Sequence, residues 1–128
     1  MTLLFLLACS TDPDAPPSVR YDLDACTECG MLVSDPAYAA ALVTQDGRTL
    51  PFDDPGCLFR HVLDEAPSVR AMWFHHGAGD RWLRQTEVAF ATGAASPMGS
   101  GLLAVPAGTP GAIGVGEASS HVLSRKRP

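Results

Sequence analysis

Charge is scarce in this chain of 128 residues, and positive charge is scarcer than negative: 9 Lys and Arg stand against 14 Asp and Glu, a net charge of −5. Binding a phosphate backbone needs clustered cations, so the composition argues against a nucleic-acid partner. The one basic cluster, Arg125-Lys126-Arg127, sits at the C-terminal end, where it is expected to complement the carbonyl end of a helix. No phosphate loop, serine-nucleophile motif or carboxylate pair suited to acid–base work is present, so catalysis is not indicated. Structural zinc sites use two pairs of Cys or His. Apart from His75-His76, a second pair is missing. A thioredoxin-like reading needs its CxxC at the mouth of a helix after a strand, and that context is missing too. The apolar run that opens the sequence is too short to span a bilayer.

What is present starts with that run. Met1 to Ala8 reads as the hydrophobic part of an export signal, and Leu6-Leu7-Ala8-Cys9 has the form of a lipobox, with Cys9 as the lipidated residue. No Lys or Arg precedes the run, so the natural start is expected to lie upstream. Residues 9–20 are polar and Pro-rich, the composition of a flexible tether. With Cys9 consumed by lipid, Cys26, Cys29 and Cys57 remain, an odd number that fits poorly with a disulfide scaffold.

Cys26-Thr27-Glu28-Cys29-Gly30-Met31 gathers two thiols and a thioether within six residues. All are soft donors, and Cu(I) is the soft metal that such donors select. Gly30 lets the chain bend so that sulfurs converge. Met98, between Pro97 and Gly99, stands in a poor setting for core filler and is a remote ligand candidate. Cys57 reads as a small apolar core residue, Asp53-Asp54 as a helix cap, and a Cys26–Cys29 disulfide is the structural alternative. His75 and His76 are secondary ligand candidates. His61 and His121 read as helix-face residues, and Trp73 and Trp82 as packing.

Strands are expected over Ala37 to Thr44 and Arg48 to Phe52, joined at Asp46-Gly47, a strong hairpin signal. Asp53-Asp54-Pro55 then opens a helix that ends near Glu65, and Ala71 to Phe74 forms a third strand. This is one ββαβ unit. Leu102 to Val105 and Ile113 to Val115 read as strands and Glu117 to Arg125 as a helix. A weak repeat emerges, with Met31 and Met98 each preceding a hairpin and a helix. The fold class is therefore α+β, built of two small ββαβ-like units at about 26–76 and 80–125 within a domain over 21–128.

The ordered set Cys26-x-x-Cys29-Gly30-Met31, Phe52-Asp53-Asp54-Pro55-Gly56-Cys57-Leu58, Trp82-Leu83 and Pro97-Met98-Gly99-Ser100-Gly101 resembles the NosL family of nitrous oxide reductase accessory lipoproteins, over about residues 22–124. The resemblance implies a fold similar to that of organomercurial lyase, a lipid anchor, a periplasm-facing location in the cell envelope, and Cu(I) as cargo. It implies delivery of copper to nitrous oxide reductase or another exported cuproprotein, with an ABC-type membrane complex as a partner. It points to Cys29, Met31 and Met98 as metal ligands, with Cys26 next. The chain departs from that pattern in one respect: it ends soon after its last helix, so the second unit is expected to lack its final strand, with Trp82 to Ala91 filling that edge instead. Two readings from other classes stand beside it: a thiol–disulfide oxidoreductase using Cys26 and Cys29, and a structural lipoprotein with an incidental Cys pair.

Overall fold

The computed structural model describes residue 12 and residues 14–125. The expected signal and lipobox, with Cys9, lie outside the described residues. The elements run β1 (Ala40–Thr44), β2 (Thr49–Phe52), α1 (Pro55–Glu65), β3 (Val69–His75), β4 (Trp82–Arg84), β5 (Val88–Ala91), β6 (Leu103–Pro106) and α2 (Val115–Leu123). No helix among the described residues is long and apolar enough to cross a membrane.

The first half follows the sequence pattern except at the start of its first strand: Ala37 and Tyr38 lie in a short 3-10 helix, Pro36–Tyr38, capped by the Asp35 side chain, so β1 begins only at Ala40. Thr44, Asp46 and Gly47 close the hairpin: Gly47 N–H donates to the Thr44 carbonyl at 3.0 Å, and β1 pairs β2 antiparallel from Ala40 opposite Phe52 to Val43 opposite Thr49. Asp54 is the N-cap of α1, its carboxylate accepting from Gly56 N–H at 2.7 Å. Pro55 takes the first helical position, where its missing N–H costs nothing. The helix stops at Ala66 in the left-handed region (φ 44°), with Pro67 following. β3 returns to pair with the other side of β1.

The second half departs from the expected repeat. β4 does not begin a new unit; it pairs with β3 and completes a four-stranded sheet in the order β2-β1-β3-β4. β5 pairs β6 as a separate two-stranded sheet, so part of the Trp82–Ala91 stretch does fill that edge. Ile113 makes a single bridge to Phe90 rather than a strand, and Val115 already belongs to α2. Met98 consequently lies between β5 and β6, whereas Met31 precedes β1, and the two methionines are not topological equivalents. The result is a small α+β protein with two antiparallel sheets and two helices, the second half being ββα.

One core serves both sheets. Phe59 of α1, Phe74 of β3 and Phe90 of β5 meet with ring centroids 5.0–5.8 Å apart, and Leu42, Leu58, Leu83, Leu102 and Val122 are buried around them. Edge contacts between rings add to the apolar burial. Part of the stretch expected to be a tether is docked: Pro17 is buried, Val19 packs on the core and Asp14 accepts from Arg84 at 2.5 Å. The expectation of a free segment through residue 20 does not hold for its second half, because Val19 has apolar surface to cover.

Candidate metal centre

Three stretches far apart in sequence converge near the start of α1. The first is a tight loop ahead of β1. Cys26 N–H donates to the Met31 carbonyl at 2.7 Å and Gly30 N–H to the Cys26 carbonyl at 2.9 Å. This closure places residue 30 at φ +79°, a backbone region that suits glycine. It also turns Cys29 N–H onto Cys26 Sγ, at 3.5 Å. Thr27 N–H donates to the Pro51 carbonyl at 2.8 Å, which fastens the loop to β2.

The second stretch is the junction of β2 and α1. Asp53 precedes the cap, and Cys57 follows Pro55 and Gly56 in the first turn. Both face the loop: one donor atom from each of Cys26, Cys29, Asp53 and Cys57 lies within 4.8 Å of all the others. The three cysteines are free thiols, so the expected disulfide alternative is not the arrangement observed. Cys29 Sγ donates to Asp53 Oδ1 at 3.3 Å.

The third stretch is the β5–β6 connection. Met98 N–H donates to Asp54 Oδ2 at 2.9 Å, while the other oxygen of that fully buried carboxylate caps α1. Gly56 allows the close approach. A Cβ there would meet Ser100 Cβ at 2.7 Å. Arg125 fastens the same connection from outside, donating to the carbonyls of Gly99 and Ser100 at 3.1 and 3.2 Å. Arg125 therefore does not complement the end of α2; Arg60 does, donating to the Val122 carbonyl at 3.3 Å.

A cavity of roughly 290 Å³ opens on this centre, with Cys29, Cys57, Met98, Arg60 and Arg125 among its walls. A single water occupies about 30 Å³ of liquid, so the space admits a small molecule, not merely an ion.

The thiols differ in acidity. Cys26 is drawn down to about 7, chiefly because Cys57 Sγ–H donates to it, with backbone N–H groups of Cys29, Asp53 and Glu28 assisting. Cys29 is pushed up to about 12, first by burial. Cys57 is pushed up as the donor to Cys26 and by burial. Of the three, Cys26 is therefore the first to ionise as pH rises, and Cys29 and Cys57 hold their protons longer. Three sulfurs and a carboxylate converging on one point form a donor set for a thiophilic metal ion, which must displace the protons of Cys29 and Cys57 to bind fully.

The expected ligands fare unequally. Cys26 and Cys29 come together, and Met98 shares the cavity wall with Cys29 and Cys57. Met31 is 60 % exposed and lies outside that wall. His75 is buried, with Nδ1 3.0 Å from the His76 carbonyl and its ring edge-on to Trp82; neither His75 nor His76 belongs to the cluster. His61 has a partner after all, its Nδ1 lying 3.5 Å from Glu28 Oε2. Cys57 and Asp53 were missed. Cys57 is buried as expected of a core residue, but its thiol joins the cluster. Asp54 alone is the cap, which releases Asp53 to the site. The available signal was position: a residue beside a cap and one in the first helical turn surround the same helix end.

Comparison with protein-family models, curated proteins and solved structures gives no match for this chain.

Proposed function

We propose that this protein is a Cu(I) carrier of the NosL kind, anchored by lipid at Cys9 and facing the periplasm. It would load copper into nitrous oxide reductase or another exported cuproprotein, in company with an ABC-type membrane complex. The observation that carries the metal reading is the convergence of Cys26, Cys29, Cys57 and Asp53 within 4.8 Å. Soft sulfur donors favour Cu(I) over harder ions. The adjoining cavity, with Met98 on its wall, favours a site that exchanges its ion over a closed structural one, since exchange needs room for an entering ligand. In this reading Cys26 and Cys29 supply thiolates, Cys57 joins them, and Met98 supplies a neutral thioether that leaves easily. Met31, which is exposed, would meet the acceptor in this reading. Dithiol exchange is less well served: Cys26, the acidic thiol, is only 3 % exposed, and a redox-active thiolate needs access.

The test is Cu(I) stoichiometry of the reduced protein by competition with a chromogenic chelator, with X-ray absorption to identify the ligands. One Cu(I) bound through sulfur, weakened by Met98→Ala, supports the reading. Tight Zn(II) binding without Cu(I) preference, or equal Cu(I) affinity in parent and Met98→Ala, would sink it.

A further inference from the structure

Beside the metal centre lies a second recognition element, the arginine-lined side of the cavity. Arg60 and Arg125 both line it. Each guanidinium is anchored by one terminal nitrogen on backbone carbonyls, Arg60 on Val122 and Arg125, and Arg125 on Gly99 and Ser100. Anchoring fixes the two cations with little further loss of freedom, and a guanidinium has five N–H donors in a planar fork. Two carboxylates also line the cavity. Asp54 is buried and accepts from Gly56 and Met98, and Glu28 faces His61. Both guanidiniums line this cavity in a protein of net charge −5.

We propose that the cavity seats a small thiol bearing carboxylates, and that copper enters the protein as the Cu(I) complex of such a mercapto acid. The carboxylates meet the guanidinium forks, for which bidentate pairing is the strong geometry, and the carrier's sulfur reaches toward Cys29, on the same cavity wall. A volume of roughly 290 Å³ lies at the low end of small-molecule pockets and suits a carrier of this size better than a folded protein segment. The step is ligand exchange without redox change. A Cu–S bond to Cys29 forms, the Cu–S bond to the carrier breaks, and the Cys29 proton passes to the departing thiolate. This proposal rests on the copper reading above and adds the chemistry of the donor.

The experiment compares loading of the reduced full chain from Cu(I)–mercaptosuccinate and from Cu(I)–2-mercaptoethanol, which offer the same sulfur chemistry at different charge. Stopped-flow absorbance of the Cu(I)–thiolate band reads the rate. The parent is expected to load faster from the anionic carrier, despite its own negative charge. In Arg60→Gln/Arg125→Gln that preference should fall by roughly tenfold, as it should for the parent when salt screens the charges. Arg60→Lys/Arg125→Lys retains both charges and guards against loss of fold; it should keep part of the preference. Absence of preference in the parent, or equal slowing from both carriers in the Gln variant, overturns the proposal. A parent that takes copper from neither carrier sinks the copper reading instead. The seat is then judged on metal-free protein by mercaptosuccinate shifts of the Cys29, Gly99 and Ser100 amide resonances, absent in the Gln variant if the seat is real and absent in the parent if it is not.

Discussion

Cys26 and Cys29 are three residues apart, yet their acidities diverge in opposite directions, to about 7 and about 12. The cause is local: Cys26 receives hydrogen bonds, whereas Cys29 is desolvated and donates a hydrogen bond to Asp53. A depressed folded value means that ionised Cys26 adds stability fully above its ordinary value of 9, and that this is lost as pH falls through 7. The raised value of Cys29 has the opposite sign. Its contribution is complete below 9 and is lost as pH climbs toward 12. Metal-free, reduced protein should therefore gain stability from pH 7 to 9 through Cys26, and thiolate absorbance should show one thiol ionising near 7 before the others. A second prediction concerns Cys57→Ala. It removes the donor to Cys26 and one of three sulfurs, so the low ionisation should move up and Cu(I) affinity should fall on the order of tenfold to a hundredfold or more, read by chelator competition. Gly56→Ala tests packing alone: the clash with Ser100 Cβ at 2.7 Å should cost about 1–3 kcal/mol in a urea titration.

At the scale of elements, local signals were sufficient where pairing is local. Asp46-Gly47 set the β1–β2 turn, and Asp54-Pro55 set the start of α1, because each is decided by neighbouring residues. The second half was harder to read. β4 has three residues, too few for any periodicity, and its choice of β3 as partner is made by tertiary packing. Ile113 looked like a strand residue but forms only one bridge, to Phe90. The site was legible in the same uneven way. The CxxC and Met98 stood out by type and setting, while Asp53 and Cys57 were masked by sufficient local explanations as cap and core. Only the fold shows that the helix start faces the loop. Phe90 is the element-scale joint, fully buried in β5 against α1 and β3. Phe90→Ala should lower stability by about 3–5 kcal/mol, measured by denaturant midpoint, and should loosen β5–β6 and with it the connection that carries Met98.

At the scale of the whole molecule, the candidate metal centre is where the loop at 26–31, the first turn of α1 and the cavity shared with the β5–β6 connection come together. An ion bound there would tie the 26–31 loop to the first turn of α1, and would bind the folded chain, where the donors converge, more tightly than the unfolded one. Stability should rise with free ion as RT ln(1 + [L]/Kd), close to 2.7 kcal/mol at about a hundred times Kd. Thermal melts with and without Cu(I), reversed by a chelator, check this; no shift on saturation would contradict a site that needs all these segments.

The Thr27–Pro51 bond has a consequence for the protein's behaviour at high concentration. β2 is an outer strand of the four-stranded sheet, and outer strands offer unpaired backbone groups to other chains. Thr27 occupies the Pro51 carbonyl, Pro51 itself has no N–H to offer, and β4 at the opposite margin is too short to template much pairing. The loop that carries the thiols thus also covers part of this outer edge. Damage to it, by oxidation of its cysteines or by mutation, would threaten solubility as well as metal binding.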